Sequence, residues 1–219
     1  MPVRRLRTHA AAVLCVKFNE DSSVAVSGSR DNSVQLFDIR SRALEPIQKL
    51  TDAKDCITSL IVYGHKIISS SLDGFIRHYD IRVGQLTSDK IGIPISYLSI
   101  TSDEQCLLAS CTDEAIRLID IDGGEILTEY KGHHKGSKDF KIECGVLKGD
   151  NMIISGSNGG RAIIYDFVEG TKLKHLTIGP ENSTTQSLTL HPTRDEMLIA
   201  NRREIQVWTS PSVEIIDDE

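Results

Sequence analysis

One fourteen-residue pattern recurs through this chain of 219 residues and constrains its fold more than any other feature. Each clear copy has a small polar step, a turn, an alternating apolar strand and a closing Asp. Clear copies lie at 27–40 (SGSRDNSVQLFDIR), 69–82 (SSSLDGFIRHYDIR), 109–122 (ASCTDEAIRLIDID) and 155–168 (SGSNGGRAIIYDFV), with a worn copy at 199–208 (IANRREIQVW). The closing positions are Asp38, Asp80, Asp120, Asp166 and Thr209, so the separations are 42, 40, 46 and 43 residues. A period near forty residues predicts a propeller array with four short strands per unit.

Turn clusters and period-two alternation divide the array into five units and leave no useful stretch with a helical period. The units fall at about 8–50, 51–90, 91–130, 131–178 and 179–209, and an acidic tail follows at 210–219. Unit four begins with a longer connector, 131–139, which explains the separation of 46 residues. The sequence therefore predicts an all-β fold, a β-propeller array of five four-stranded blades.

Composition narrows the function classes. The net charge of −6 argues against direct nucleic-acid binding. No apolar run approaches the length of a membrane span. The chain has five cysteines without paired spacing, which is typical of a reducing compartment. We therefore expect a cytoplasmic and nuclear protein.

The repeat resembles the WD40 repeat. The resemblance rests on Gly132-His133 ahead of a strand, the Ser-Gly-Ser step, the turn Asp and the aromatic residue before the closing Asp. In that family each blade is a four-stranded sheet in which the turn Asp bonds the His. By position, the resemblance implies structural blade residues at His9, Asp31, Phe37, Asp73, Tyr79, Asp113, His133, Tyr165 and Trp208.

Several units depart from the family pattern. Gly159 and Arg202 stand where the turn Asp is expected, and Ile119 stands at the aromatic position. Unit two has no Gly-His before its first strand, and its Gly64-His65 pair comes one strand too late. We expect the apolar packing of the blades to survive these departures and the buried polar network to be lost.

The order of the units also resembles one family of WD40 scaffolds, the mitogen-activated protein kinase organizer proteins. The strings that carry this resemblance are RDNSVQLFDIRSR, SLDGFIRHYDIRVGQL, GGEILTEYKGH and HPTRDEMLIA. The family implies seven blades, so the five found here predict an N-terminally short form and an open arc of a seven-blade ring. Such an arc would expose apolar faces and be poorly soluble alone. Residues 3–6 could supply an outer strand to the last blade.

The sequence shows no clear pattern of a catalytic, metal-binding or phosphate-binding site. Ser, His and Asp recur at repeat positions, whereas a catalytic triad would occur once. Cys106 and Cys111 lie at opposite ends of one strand and lack a second pair of ligands for zinc. The glycine-rich stretch 156–160 opens a hairpin rather than a helix, so it offers no phosphate cradle. The sequence predicts no catalytic residue, metal, cofactor or small-molecule substrate.

Residues that differ between units are the candidates for partner binding. Arg40 and Arg82 follow an Asp-Ile pair at the same phase, so adjacent blades would present them on one rim. The pattern aromatic-Asp-x-Arg also resembles the short motif of WD40 receptors that dock on the cullin-4 adaptor. The connector at 131–138 (KGHHKGSK) is basic on an acidic protein. The candidates are Arg30, Arg40, Arg82, Lys135, Lys138, Arg202 and Arg203, with solvated surface side chains as the alternative reading.

The family resemblance implies a non-catalytic scaffold whose partners are other proteins. The expected clients are components of a MAP kinase module, the extracellular-signal-regulated kinase (ERK) cascade. Two alternatives stay open. One is a spliceosome-associated subunit in pre-mRNA splicing, with splicing factors as partners. The other is a substrate receptor of a cullin-4 ubiquitin ligase.

Overall fold

The computed structural model describes residues 4–132, 141–147, 151–191, 194 and 196–209, which form nineteen β-strands and no helix. None of these residues therefore forms a helix that could cross a membrane. The first two blades contain β1 (Val13–Phe18), β2 (Val24–Ser29), β3 (Val34–Asp38), β4 (Gln48–Leu50), β5 (Ile57–Tyr63), β6 (Lys66–Ser71), β7 (Phe75–Asp80) and β8 (Gln85–Lys90). The third and fourth contain β9 (Ile95–Ile100), β10 (Cys106–Cys111), β11 (Ala115–Asp120), β12 (Ile126–Lys131), β13 (Cys144–Val146), β14 (Met152–Ser157), β15 (Arg161–Asp166) and β16 (Lys172–Thr177). The fifth contains β17 (Thr185–Leu190), β18 (Glu196–Asn201) and β19 (Glu204–Thr209).

Each blade is an antiparallel sheet whose strands pair in chain order. The first four blades have four strands, and within the described residues the fifth has only β17, β18 and β19. The prediction of an all-β propeller with five blades is confirmed, and the described part of the fifth blade forms three strands. Its third strand ends at Thr209, and no described segment pairs with the outer edge.

The N-terminal segment lies on the first blade. Residues 4–12 form no strand, and the Arg4 guanidinium donates to the backbone carbonyls of Asp38, Ser41 and Ala43. The expectation that this segment completes the last blade is therefore wrong for its described residues. The guanidinium finds three backbone acceptors beside the third strand of its own blade, and these contacts hold the segment there.

The second, third and fourth blades are apolar on both faces because each packs on a neighbour at either side. In β11, Ile119 faces the second blade and Leu118 faces the fourth. Four apolar clusters fill the junctions between successive blades. Tyr130 and Tyr165 meet edge to face in the third junction, with ring centroids 5.7 Å apart. This packing gives each blade a fixed position relative to the next and so holds the turns at the blade ends in place.

The five blades form an arc within the described part of the chain. Substantial contacts between blades join only neighbours in sequence, through the inner strands β1, β5, β9, β13 and β17. The first and fifth blades share no such contact. Side chains of β1 and β19 that would face a further blade lie exposed, among them Val16 and Ile205.

Candidate interaction surface

The turns between the second and third strands, here called the upper turns, carry the turn Asp. In the first blade Asp31 Oδ2 lies 2.9 Å from His9 Nδ1, and His9 Nε2 lies 2.8 Å from Ser27 Oγ. Asp31 also accepts hydrogen bonds from the Ala10 amide and from Ser33. Burial opposes ionisation of Asp31, but these donors lower its pKa well below the ordinary value. The turn Asp is thus engaged inside the blade.

In the second and third blades an arginine binds the turn Asp. Arg77 donates to both carboxylate oxygens of Asp73, at 3.2 and 2.8 Å. Arg117 does the same to Asp113, at 3.0 and 2.6 Å, and also reaches Glu129 at 3.1 Å. Both arginines are buried. Planar guanidinium groups suit such paired contacts, so a polar network of different composition occupies the blades that lack the His.

The upper turns of the fourth and fifth blades contain no carboxylate and are held by amide, hydroxyl and Arg202 side chains. Thr184 donates to the side-chain oxygen of Asn158 at 2.7 Å, beside Gly159 with its positive φ of 79°. The buried Asn201 amide donates to Ser183 at 3.0 Å. Arg202 donates to the backbone and side-chain oxygens of Asn182, both at 2.8 Å. These turns are therefore also stabilised by contacts within the protein.

The residues at the aromatic position are largely buried, and Tyr79, Ile119 and Tyr165 belong to the apolar clusters between blades. Phe37, Tyr79 and Tyr165 are buried, as is Ile119 in the third blade, whereas Trp208 is half-buried. Burial raises the pKa of Tyr79 to about 12, so its phenol stays neutral. This position contributes apolar contact and no exposed reactive group.

The turns after the third strands, here called the lower turns, present the best candidate surface. Asp38 accepts hydrogen bonds from the backbone amides of Arg40 and Ser41, at 2.8 and 3.1 Å. Asp80 accepts them from Arg82 and Val83, at 2.9 and 3.0 Å. These amides lower the pKa of both carboxyl groups. The repeated geometry directs the residue two places after each Asp outward in the same manner.

Arg40 and Arg82 occupy these equivalent places, and both are exposed. The Arg40 guanidinium lies 3.1 Å from Asp21 across an exposed ion pair. Arg82 makes no side-chain ion pair within the described residues. The fourth blade places the exposed Val168 there, where its amide bonds Asp166 at 2.9 Å. The first two blades thus differ from the fourth in charge at one shared position.

The remaining candidates lie elsewhere. Arg30, Arg202 and Arg203 are exposed at the upper turns of the first and fifth blades. His133, Lys135 and Lys138 lie outside the described residues. The structure therefore separates the described candidates into a lower pair and an upper group.

No catalytic constellation accompanies these surfaces in the described part of the chain. A cleft of about 480 Å³ lies between the fourth and fifth blades, lined by apolar side chains with Lys174, His191 and Arg194. Arg194 is engaged with His191 at 3.0 Å and Glu196 at 3.2 Å. Among the described residues no group of three His, Cys, Asp or Glu could hold a metal ion.

The cysteines are poorly placed for reaction. Burial raises the pKa of the Cys15 and Cys111 thiols to about 11, so both stay protonated near neutral pH. Cys106 and Cys111 stand at the two ends of β10. Their placement offers neither a thiolate nucleophile nor a shared metal site.

Arg77 and Arg117 are the polar residues that sequence reasoning missed. Each follows the turn Asp by four residues, in Asp73-Gly-Phe-Ile-Arg77 and Asp113-Glu-Ala-Ile-Arg117. The same spacing in two adjacent units was the available signal. Each Arg lies on the face of its strand that is buried against the preceding blade, where a charged side chain needs a partner.

Comparisons with known proteins agree with this architecture. A family profile described as "WD domain, G-beta repeat" matches residues 1–38. The chain is 37% identical over 236 residues to "WD repeat domain-containing protein 83 homolog" of Dictyostelium discoideum, covering 94% of this chain and 71% of that protein. It is 41% identical over 175 residues to "WD repeat domain-containing protein 83" of Rattus norvegicus, covering 80% of this chain and 54% of that protein.

The human protein of the same name is 40% identical over 177 residues, covering 81% of this chain and 55% of the relative. The matched region thus spans about half the length of these two mammalian relatives and a larger share of the Dictyostelium protein. The identity over most of this chain and over more than two thirds of the Dictyostelium protein is the finding that decides the family. The chain therefore belongs to the WD repeat domain-containing protein 83 family of WD40 repeat proteins.

Proposed function

We propose that this protein is a non-catalytic scaffold that binds other proteins through its turns. WD40 propellers generally serve as interaction domains. The proposal rests on one observation, which is that the polar residues of the turns fall into an internally bonded group and an exposed group. The turn Asp side chains and the buried arginines bond within the blades, whereas Arg40 and Arg82 are exposed at equivalent lower turns. Exposed cations on a rigid edge suit recognition of acidic protein segments.

The proposed clients are components of the ERK kinase cascade. The family resemblance of the ordered blades supports this choice. A scaffold accelerates a cascade by raising the effective concentration of one client near another and needs no chemistry of its own. Successive rigid blades with different turns allow each client to use a different segment of the rim.

A second candidate function is a substrate receptor of a cullin-4 ubiquitin ligase. The specific observation in its favour is the run Tyr79-Asp80-Ile81-Arg82, which resembles the docking motif of such receptors. Asp80 holds the turn through two backbone amides and leaves the Arg82 side chain exposed. Loss of the adaptor alone on changing Arg82 would favour this reading over the kinase scaffold.

Affinity purification of a variant with reversed charge at the lower turns tests both proposed functions. The variant Arg40→Glu with Arg82→Glu should fold as the parent does and lose one class of partner. The matched control is Arg30→Glu with Arg203→Glu, which makes the same change in net charge at upper turns. Kinases lost only with the lower pair would support the scaffold. Splicing factors lost instead would favour the spliceosomal alternative, and retention of every partner by the lower-pair variant would refute the assignment of this rim.

A further inference from the structure

The lower turns of the second, third and fourth blades present three different kinds of side chain at one repeated position. The position lies two residues after the closing Asp, and it is occupied by Arg82, Asp122 and Val168, all of which are exposed. Each of these three blades packs between two described neighbours, so a further blade at either end of the arc would not adjoin them. We call these three residues the lower row.

The closing Asp holds each of these turns from inside. The amides of Arg82 and Val168 each donate to the Asp two residues before them, at 2.9 Å. In the third blade the Gly123 amide donates to Asp120 at 2.6 Å. Because the carboxylate of the closing Asp is engaged within the turn, the side chain of the lower row is the group left for a partner.

The third blade surrounds its member of the lower row with negative charge. The turn between its first two strands lies beside its lower turn, since the Ile121 amide donates to the Gln105 carbonyl at 2.9 Å. These two turns contain no Lys or Arg, and their exposed acidic residues are Asp103, Glu104, Asp122 and Glu125. Asp122 makes no ion pair with a described residue. The third blade therefore suits a cationic side chain of a partner.

The second blade offers the opposite charge. Arg82 is exposed and makes no side-chain ion pair within the described residues. The one carboxylate of its turn, Asp80, accepts the amides of Arg82 and Val83 and lies 3.4 Å from His65. The planar guanidinium of Arg82 is therefore available for a carboxylate of a partner.

A cleft of about 220 Å³ lies between the lower ends of these two blades. Its lining includes Asp80, Gln85 and Thr87 of the second blade and Asp122 of the third. Gln85 and Thr87 are exposed, and their amide and hydroxyl groups can bond the backbone of a peptide. A chain that crosses from Arg82 to Asp122 therefore finds hydrogen-bond partners on the way.

The spacing of the blades selects the conformation of such a chain. Neighbouring packed sheets lie about 10 Å apart. A segment in the polyproline II conformation has three residues per turn and rises about 3.1 Å per residue, so every third side chain points the same way about 9 Å further on. Three side chains at this spacing match the lower row. The last member, Val168, is 77% exposed and loses contact with water only when a partner covers it.

We infer that the lower row binds an extended protein segment that carries an acidic, a basic and an apolar side chain in that order, three residues apart. The acidic side chain pairs with Arg82, the basic one pairs with Asp122, and the apolar one contacts Val168. This inference rests on the proposed function and specifies the chemistry of its partners. Both ion pairs are exposed, so the binding weakens as salt is added.

Immobilised peptides and purified protein test the lower row. Two peptides have Lys in the middle, namely Glu-Pro-Pro-Lys-Pro-Pro-Leu and the same sequence reversed. Two others have Glu in the middle, namely Lys-Pro-Pro-Glu-Pro-Pro-Leu and its reverse. Biolayer interferometry at low ionic strength measures the dissociation constants. The parent should bind the better peptide with Lys in the middle about threefold to tenfold more tightly than either peptide with Glu there, because only the former places all three side chains.

Exchanging the two charges of the lower row gives the sharpest readout. The variant Arg82→Asp with Asp122→Arg keeps the net charge and should reverse the preference, so that peptides with Glu in the middle bind more tightly. The control Arg203→Asp with Glu181→Arg exchanges exposed charges near the upper turn of the fifth blade and should keep the preference of the parent. Circular dichroism checks the fold of each variant. Where the exchange unfolds the chain, Arg82→Gln with Asp122→Asn replaces it and should abolish the preference.

Two results would overturn the inference. One is a parent protein that binds all four peptides equally or binds none of them. The other is a folded exchange variant that keeps the preference of the parent. Because no client protein is present, either result overturns the lower row alone. Failure of the scaffold would show separately, as clients retained by the charge-reversed variant in the affinity purification.

Discussion

At the scale of single residues, the turn Asp side chains that recur in the repeat are engaged in bonds within their blades. His9 and Asp31 could be predicted by position from the sequence, and the structure places them 2.9 Å apart. The bond between Arg77 and Asp73 could not, because family patterns place a His from the preceding loop at the turn Asp. The structure fills that place from the third strand instead. The spacing of residues in a sequence does not show which of two basic residues binds a given carboxylate.

The substitution Asp31→Asn should destabilise the first blade in a pH-dependent manner. Because the folded-state pKa of Asp31 lies below its ordinary value of 3.8, its ionised form contributes stability above about pH 4, and this contribution falls as the pH drops toward the folded-state pKa. We expect a loss of about 1–3 kcal/mol in the free energy of unfolding at pH 7. Urea unfolding at several pH values measures it.

The exposed Asp122→Asn serves as the control and should change stability little at any pH. The deficit of Asp31→Asn should shrink as the pH is lowered below 4. A deficit that stayed constant from pH 7 to pH 3 would contradict the role given to the carboxylate.

Removing the Arg77 guanidinium from the second blade should lower the free energy of unfolding by more than Asp31→Asn does. Both Arg77 and Asp73 have side chains almost fully buried, so Arg77→Met leaves a carboxylate with only the Lys54 and Phe75 amides as donors. We expect a loss of about 3 kcal/mol in unfolding free energy. The double variant Arg77→Met with Asp73→Asn should lose less than the sum of the two single variants. Urea unfolding of the parent, the two single variants and the double variant measures this coupling. Losses of unfolding free energy that add strictly would show that Arg77 and Asp73 are not coupled.

At the scale of elements, alternation of apolar residues predicted most of the strands, because it reports which faces are buried. The ends of strands depend on pairing partners, which the chain pattern does not contain. In the fourth blade the first strand, β13, covers only Cys144–Val146. In the first blade the outer strand, β4, covers only Gln48–Leu50. Within the described residues the fifth blade consists of β17, β18 and β19, and no described segment meets the edge of β19.

The glycine of the Ser-Gly-Ser step sets the distance between two blades in one junction. A Cβ added at Gly156 would collide with the backbone carbonyl of Thr185 in β17, whereas one at Gly28 would meet the side chains of Ile57 and Cys15. A backbone atom yields less easily than a side chain. Gly156→Ala should therefore lower stability by about 1–3 kcal/mol and Gly28→Ala by less.

Hydrogen exchange locates that effect. Gly156→Ala should speed exchange in β17, β18 and β19, because the fifth blade is displaced from the fourth. The first blade should keep the exchange rates of the parent in the same variant. Equal losses of stability for the two alanine variants would contradict the assigned contact.

At the scale of the whole molecule, the period of the repeat predicted the propeller and the family resemblance implied an open arc, and the described blades form such an arc. Every junction between neighbouring blades is apolar, so the same surfaces that order the blades are left exposed at the two ends. The sequence predicted that Arg40 and Arg82 occupy equivalent turns, because each follows its closing Asp by two residues. That both side chains are exposed is known only from the structure. The identity of the proteins that bind these turns also depends on the partners, so the sequence of this chain alone does not give it.

The measurement that tests the scaffold most directly is bridging of two purified kinases of the ERK cascade. One kinase is immobilised, the other is kept at constant concentration, and this protein is titrated. A scaffold that binds both clients should raise retention of the second kinase and then lower it at excess, because each client then occupies a separate scaffold molecule. Retention that never rises above the level without the protein, or that rises and never falls, would contradict the account.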